Sequence, residues 1–306
     1  MTEGLQFFRL RGPGDEPALL LTRLPREGSP VLYIHGATFP AALSIAYRFG
    51  GRSWMDDLAG CGFDVWALDF AGYGGSDRYP EMSGSADGPP LGRAAQAARQ
   101  IARAVAHILE QTAKPRISII AHSWGTMAAG LFASTHPERV ARLCLFGPVA
   151  QRDGRRDIGE PALRWRLVTV AQQHARFIED VPQEHPPVLI EPELDVWGPA
   201  YLGTDSDAAL RHPPAVKVPY GPIADIADAW SGSLAWRPRD VRAPTLVVRG
   251  EWDSVTTDVD AAWLLSRLGH PVRHDAKIAK GTHLMHLEHS REGLFQITRE
   301  FLKEKP

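Results

Sequence analysis

Apolar runs of strand length alternate along the chain with amphipathic stretches of helix length, the pattern of a sheet with helices packed on both faces. Two early runs, 5–10 and 18–24, flank the turn-forming RGPGDEP and predict an antiparallel hairpin. The rhythm then becomes strand 31–35, helix 53–59, strand 63–70, helix 91–112, strand 117–122, helix 126–135 and strand 140–146. This βαβ repetition requires parallel crossovers. From 148 to 238 the alternation breaks down among prolines and tryptophans, with helix-like pieces at 163–179 and 223–231. It resumes as strand 245–249, helix 259–268, strand 272–278 and helix 291–303. The expected organisation is an α/β core formed by 1–147 and 239–306, carrying an inserted, mainly helical lid over 148–238.

A chain of 306 residues buries a core large enough to hold a rigid active site, so no partner subunit is needed for stability and a monomer or homodimer is expected. The formal charge of −2, with acids and bases interspersed, lacks the basic footprint of a nucleic-acid binder. Of the two cysteines, Cys61 follows a glycine and Cys144 lies in an apolar run; neither belongs to a metal-binding spacing, and both read as small buried hydrophobes. The N-terminal stretch has no signal-peptide pattern, and no apolar run reaches the roughly 18 residues of a spanning helix. A soluble, cytoplasmic protein is the expectation.

The stretch RISIIAHSWGTMAAG carries the chemistry. A β-branched strand ends at His122 and a helix starts just after Ser123, which puts the serine on a tight strand-to-helix turn. Such a turn needs small residues two positions before and after the serine, and Ala121 and Gly125 supply them. The helix N-terminus behind the turn offers N–H groups to an oxyanion, the backbone of Trp124 first among them. His122, beside the serine, is expected to turn away from the reacting centre. With alanine in place of the usual first glycine, AHSWG resembles the nucleophile elbow of the α/β-hydrolase superfamily. That resemblance implies an α/β-hydrolase fold with a mostly parallel central sheet.

A serine hydroxyl is a poor nucleophile at neutral pH and needs a histidine in hydrogen-bond reach, oriented by a carboxylate. After the resumed strand, EWDSV puts Asp253 in a loop at the strand's carboxyl end, and Gly250 to Asp253 resembles the family's GxxD acid pattern. Glu251, Asp258 and Asp260 read as solvated charges. AKGTHLMHLE then puts His283 in a loop behind a glycine, which resembles the family's catalytic histidine loop. His283, His286 and His289 are spaced by three, so a zinc site competes; no cysteine or other ligand cluster joins them, and His286 and His289 are expected to pack or face solvent on the last helix. No metal and no organic cofactor is implied.

The second oxyanion donor is expected after the first parallel strand, where VLYIHGATFP resembles the family's HG turn. The backbone N–H of Ala37 or of Thr38 would supply it, and the sequence does not separate the two. DFAGYGGSD looks like the family's DxxGxGxS loop, with Ala71 where arginine or proline is often seen, and its Asp69 reads as architectural. Within the insertion, Trp165, Trp197, Tyr201 and Trp230, with Thr38 from the core, are candidates for lining a pocket for an apolar or aromatic acyl substrate, though the aromatics could instead pack the lid onto the core.

The resemblance implies a serine hydrolase cleaving a carboxylic ester or lactone through an acyl-enzyme. Carbon–carbon bond hydrolases, thioesterases and acyltransferases can use a similar triad, and a small-molecule receptor that retains the triad is the reading of another class. An aspartate at position 123 would have implied dehalogenase or epoxide chemistry; serine argues against both.

Overall fold

A computed structural model describes residues 4–154, 162–190 and 193–304, with backbone placement alone for 193 and 194. The stretches 155–161 and 191–192 of the expected insertion lie outside the described residues. One eight-stranded sheet organises the chain, with strand order β1-β2-β4-β3-β5-β6-β9-β10. Its members are β1 (Gln6–Leu10), β2 (Leu19–Leu24), β3 (Pro30–Ile34), β4 (Asp64–Asp69), β5 (Ile117–His122), β6 (Val140–Phe146), β9 (Thr245–Gly250) and β10 (Arg273–Ile278). The β1-β2 hairpin and the β2-β4 pair are antiparallel, and the pairs from β4 onward are parallel.

Strand parity explains why both faces are covered. Side chains alternate across a strand, so Val31 and Tyr33 of β3, Val65 and Ala67 of β4, and Leu246 and Val248 of β9 share one core. Their neighbours Leu32, Ile34, Trp66, Leu68 and Val247 belong to the other. The first core is closed by α1 (Trp54–Gly60) and α8 (Arg291–Lys303), with Trp54 stacked on Phe295 at 5.3 Å. The second is closed by α2 (Ala94–Thr112), α3 (Gly125–Thr135) and α7 (Asp258–Arg267). In α2 the buried stripe Ala97, Ile101, Ala104, Val105 and Ile108 follows the helical three-four spacing. Cys144 is buried, whereas Cys61 is half-buried at the end of α1. No described helix is long and apolar enough to cross a membrane.

Between β6 and β9 the described chain forms a two-stranded antiparallel sheet, β7 (Trp165–Thr169) with β8 (Ala215–Pro219), and three helices, α4 (Val170–Ile178), α5 (Glu193–Leu202) and α6 (Gly221–Trp230). The expected helix over 163–179 is corrected here, because its first part is β7. WRLVT carries the branched and aromatic residues that suit a pleated ribbon. Thr169 then starts α4 with a capping box, its hydroxyl accepting from Gln172 N–H at 3.1 Å while the Gln172 side chain accepts from Thr169 N–H at 2.9 Å. That T-x-x-Q signature was present in the sequence. Helix α5 and strand β8 were not anticipated; α5 has Pro199 inside it, a residue that ordinarily argues against a helix.

Candidate active site

Strand β5 runs into α3 through Ser123, whose φ of +55° lies in the left-handed region, a conformation that costs a non-glycine residue roughly 1–2 kcal/mol. Neighbouring backbone bonds hold it there. Ser123 N–H donates to Phe146 O at 2.9 Å, and its carbonyl accepts from the Thr126 N–H at 2.9 Å and the Thr126 hydroxyl at 2.6 Å. A Cβ at Gly125 would come within 2.3 Å of the His35 carbonyl oxygen, so the turn tolerates no side chain there.

His283 Nε2 lies 2.7 Å from Ser123 Oγ, and His283 Nδ1 lies 3.0 Å from each Asp253 carboxylate oxygen. An ionised carboxylate only accepts, so Nδ1 carries the ring proton and Nε2 is left to accept from the serine hydroxyl. Both ring nitrogens are thereby engaged. Asp253 Oδ1 also accepts from Val255 N–H and Thr256 N–H, each at 2.9 Å, which fixes the carboxylate without the histidine's help. All three residues are buried. Gly147, where the chain leaves β6, has φ of +56°; a Cβ there would stand 2.9 Å from the His283 ring, so the imidazole leaves no room for a side chain at this position.

The loop that carries His283 is tied from both sides. The Glu288 carboxylate accepts from Thr282 N–H at 3.2 Å, from the Thr282 hydroxyl and from the Ser290 hydroxyl at 3.1 Å, and burial pushes its pKa up to about 7. From the other side, His122 Nε2 donates to the His283 carbonyl at 3.0 Å. The expectation that His122 turns away from the centre is corrected: its ring centroid is 5.1 Å from that of His283 and it borders the same cavity, because stacking on Phe146 at 4.4 Å turns it under the histidine loop.

After β3, three successive carbonyls are each pinned. Phe70 N–H donates to His35 Nε2 at 3.1 Å, so His35 Nδ1 carries the proton and donates to Gly36 O at 2.7 Å; burial lowers this histidine's pKa to about 4 and keeps it neutral. The Tyr73 hydroxyl donates to Ala37 O at 2.7 Å, and the Gln173 amide reaches Thr38 O at 3.4 Å. Among the described residues, the backbone N–H groups of Ala37, Thr38 and Trp124 have no protein acceptor. Asp69 ties the neighbouring loop, its carboxylate accepting from Ala41 N–H at 2.9 Å and Gly75 N–H at 3.0 Å.

Ser123 and His283 open on a cavity of about 640 Å³. Its floor comes from the core through Ala37, Thr38 and Val255, and its wall from the inserted segment through Arg166, Val168, Phe177, Ile223 and Trp230. A profile described as alpha/beta hydrolase fold matches residues 29–186, which include β3 through β6 and the elbow. The chain belongs to the alpha/beta hydrolase fold family.

Solved members of similar shape include 2-hydroxy-6-oxo-6-phenylhexa-2,4-dienoate hydrolase from Rhodococcus sp. strain RHA1, at 17% identity and a TM-score of 0.67 over 98% of this chain and 100% of that one. An esterase from Exiguobacterium antarcticum is similar at 18% identity and a TM-score of 0.64, again over 98% and 100%. At such identities the likeness shows the fold alone. Epoxide hydrolase B of Mycobacterium tuberculosis is 28% identical over 116 residues; the match covers 38% of this chain and 28% of that protein's length.

Within this α/β hydrolase the candidate lining residues divide. Thr38 and Trp230 border the cavity, and Trp230 also lies under the Arg152 guanidinium at 4.5 Å. Trp165, Trp197 and Tyr201 are not among the residues that line it, and of the two readings that the sequence leaves open for these aromatics their contacts favour packing. Trp197 stacks on Tyr201 at 5.2 Å, packs edge-on against Phe39 and Phe177, and donates through its indole N–H to Leu43 O at 3.1 Å. Those contacts dock α5 onto the core. Trp165 packs beneath the Lys217 ammonium at 4.1 Å. Several residues that frame the site carried no usable sequence signal. Asp225 of α6 accepts from the Trp124 indole at 2.9 Å, from Ala94 N–H at 2.6 Å and from Arg93, joining the elbow, α2 and the inserted segment at one buried carboxylate. Only its fold partners mark it out.

His286 and His289 are also placed differently from the expectation. Neither lies on α8: His289 is exposed before it, and His286 sits in the short turn Met285–Leu287, buried against Phe39, His122 and Phe146. Neither ring nitrogen of His286 has a partner among the described residues, and burial together with the nearby His283 lowers its pKa to about 3. Because the unfolded chain binds a proton near pH 6.5 and the folded one only near 3, this residue lowers stability as pH falls from about 6.5. A His286→Leu variant is expected to gain stability relative to the parent on acidification, by up to about 1.4 kcal/mol per pH unit between pH 6 and 4. Urea unfolding at several pH values checks this; a pH-independent difference would contradict it.

Proposed function

We propose that this α/β hydrolase is a serine hydrolase that cleaves a carboxylic ester or lactone through an acyl-enzyme. The single observation that carries the reading is the continuous chain from Ser123 Oγ to His283 Nε2 at 2.7 Å and from His283 Nδ1 to Asp253 at 3.0 Å, opening on a cavity. In this mechanism Ser123 Oγ attacks the ester carbonyl as its proton passes to His283 Nε2. Asp253 holds the imidazolium that forms. The developing oxyanion accepts from the Trp124 N–H and from the Ala37 or Thr38 N–H, groups that need no reorganisation because the carbonyls beside them are already pinned. The carbonyl–oxygen bond then breaks, and His283 returns its proton to the leaving alcohol. Water, deprotonated by the same imidazole, attacks the acyl-serine and frees the acid.

The segment over 148–238 acts in this reading as a lid whose wall of the cavity sets the acyl pocket. The partial likeness to an epoxide hydrolase does not alter the proposal, since serine stands where epoxide chemistry in this family would call for aspartate.

A fluorophosphonate probe combined with a product screen tests the proposal. Stoichiometric labelling of Ser123 and release of acid from 4-nitrophenyl esters or lactones are expected. A vinylogous diketone, a thioester and an alcohol acceptor in parallel separate the other reactions available to the same triad. Labelling without turnover of any substrate, together with strong thermal stabilisation by a ligand, would replace the enzyme by a receptor.

A further inference from the structure

Arg166 is a charge on the cavity wall that the protein leaves uncompensated. It lies on β7, lines the same cavity as Ser123 and His283, and has its Nε buried with no hydrogen-bond partner; no carboxylate among the described residues pairs with it. The other charges nearby have counter-charges, although Arg176 Nη2 is itself buried without a hydrogen-bond partner. Arg176 on the same wall pairs with Glu179 at 2.7 Å and Asp180 at 3.4 Å, and Asp253 is held by His283 and two backbone N–H groups. A partly desolvated guanidinium without a counter-charge is costly, and that cost is relieved when an anion arrives. Gln172, which lines the same cavity, spends its side-chain oxygen on capping Thr169, and its NH₂ has no protein acceptor among the described residues.

Resting on the reading of Ser123 as the nucleophile, we propose that the cavity takes an acyl group with a second, free carboxylate, and that Arg166 binds that carboxylate. The substrate class is then the half-ester of a medium-length dicarboxylic acid. A planar carboxylate matches the two-pronged guanidinium face, and its single charge matches a single unpaired arginine, whereas a phosphate dianion would call for more donors. Val168, Ile223, Ile226 and Val255 supply apolar lining for the methylene chain between the two carboxyl groups. A volume of about 640 Å³ is ample for such a chain. Hydrolysis consumes one water and yields the dicarboxylate and the alcohol, with the distal carboxylate unchanged.

The test compares the 4-nitrophenyl half-ester of adipic acid with its methyl-capped neutral counterpart. The parent enzyme is expected to favour the half-ester in kcat/KM by roughly tenfold or more, mainly through KM. In Arg166→Met that ratio should fall to about one, and in Arg166→Lys part of it should survive. A ratio near one in the parent, or one that Arg166→Met leaves intact, overturns the proposal. Calorimetry on Ser123→Ala with monomethyl adipate, dimethyl adipate and inorganic phosphate reads binding without turnover. Tight binding of the monomethyl ester alone, lost in the Ser123→Ala/Arg166→Met double variant, supports the site even if no ester is hydrolysed, in which case only the catalytic reading fails. Phosphate binding as tightly as the half-ester overturns the carboxylate assignment, as does equal binding of the two esters.

Discussion

Ser123→Ala is expected to lose on the order of a millionfold in turnover of an activated aryl ester while remaining folded. The size follows from what the hydroxyl does: without it no acyl-enzyme forms, and His283 and the oxyanion donors retain only the residual rate that binding and polarisation supply. The fold should tolerate the change because the hydroxyl's partner is His283 Nε2, whereas the bonds that keep this residue at φ of +55° are made by its backbone. Alanine meets the same conformational penalty as serine there. Steady-state hydrolysis of 4-nitrophenyl acetate, with thermal unfolding run alongside, checks the result. A well-folded variant that kept a tenth of the parent rate would end the proposal that Ser123 is the nucleophile.

Asp253→Asn is expected to cost about ten-thousandfold in kcat with little change in structure. The local geometry dictates how the amide would sit. Val255 N–H and Thr256 N–H both donate to Oδ1, so the asparagine oxygen takes that place and the amide NH₂ takes the other, facing His283 Nδ1. Nδ1 lies 3.0 Å from both positions, and the new NH₂ donor favours the tautomer in which Nδ1 accepts; a ring then protonated at Nε2 cannot accept from Ser123. The measurement is kcat together with the rate of fluorophosphonate labelling, both of which depend on removal of the serine proton. A variant that lost stability but labelled at the parent rate would show that Asp253 serves only the loop.

Much of this architecture was legible in the residue order, for reasons that differ by element. Core strands such as ISIIAH and TLVVRG announce themselves because both faces are buried, and α2 does so because its apolar stripe repeats at helical spacing. Ser123, Asp253 and His283 could be named because each follows a strand of the main sheet in a short motif. The inserted segment was harder to read. The stretch 163–179 reads as a helix on its own, since the apolar positions of WRLVTVAQQHARFI are compatible with both periods and only pairing with AVKVP selects the strand for its first half. Burial against a partner decides such short ambiguous runs, and the partner lies far along the chain.

The same distinction separates the determinants of the site. The sequence by itself determined the alternation of core strands and helices, the place of the strand-to-helix turn at Ser123 and the order in which Ser123, Asp253 and His283 follow their strands, because these depend on local periodicity and on steric demands within a few residues. Tertiary structure alone decided that Trp197 and Tyr201 dock α5 while Trp230 borders the cavity, that Glu288 and His122 hold the histidine loop, that Asp225 binds the elbow to the inserted segment, and that Arg166 faces the cavity without a counter-charge. Each of those outcomes depends on which distant surfaces exclude water together, and hydrogen-bond satisfaction and charge pairing exist only once that packing is complete.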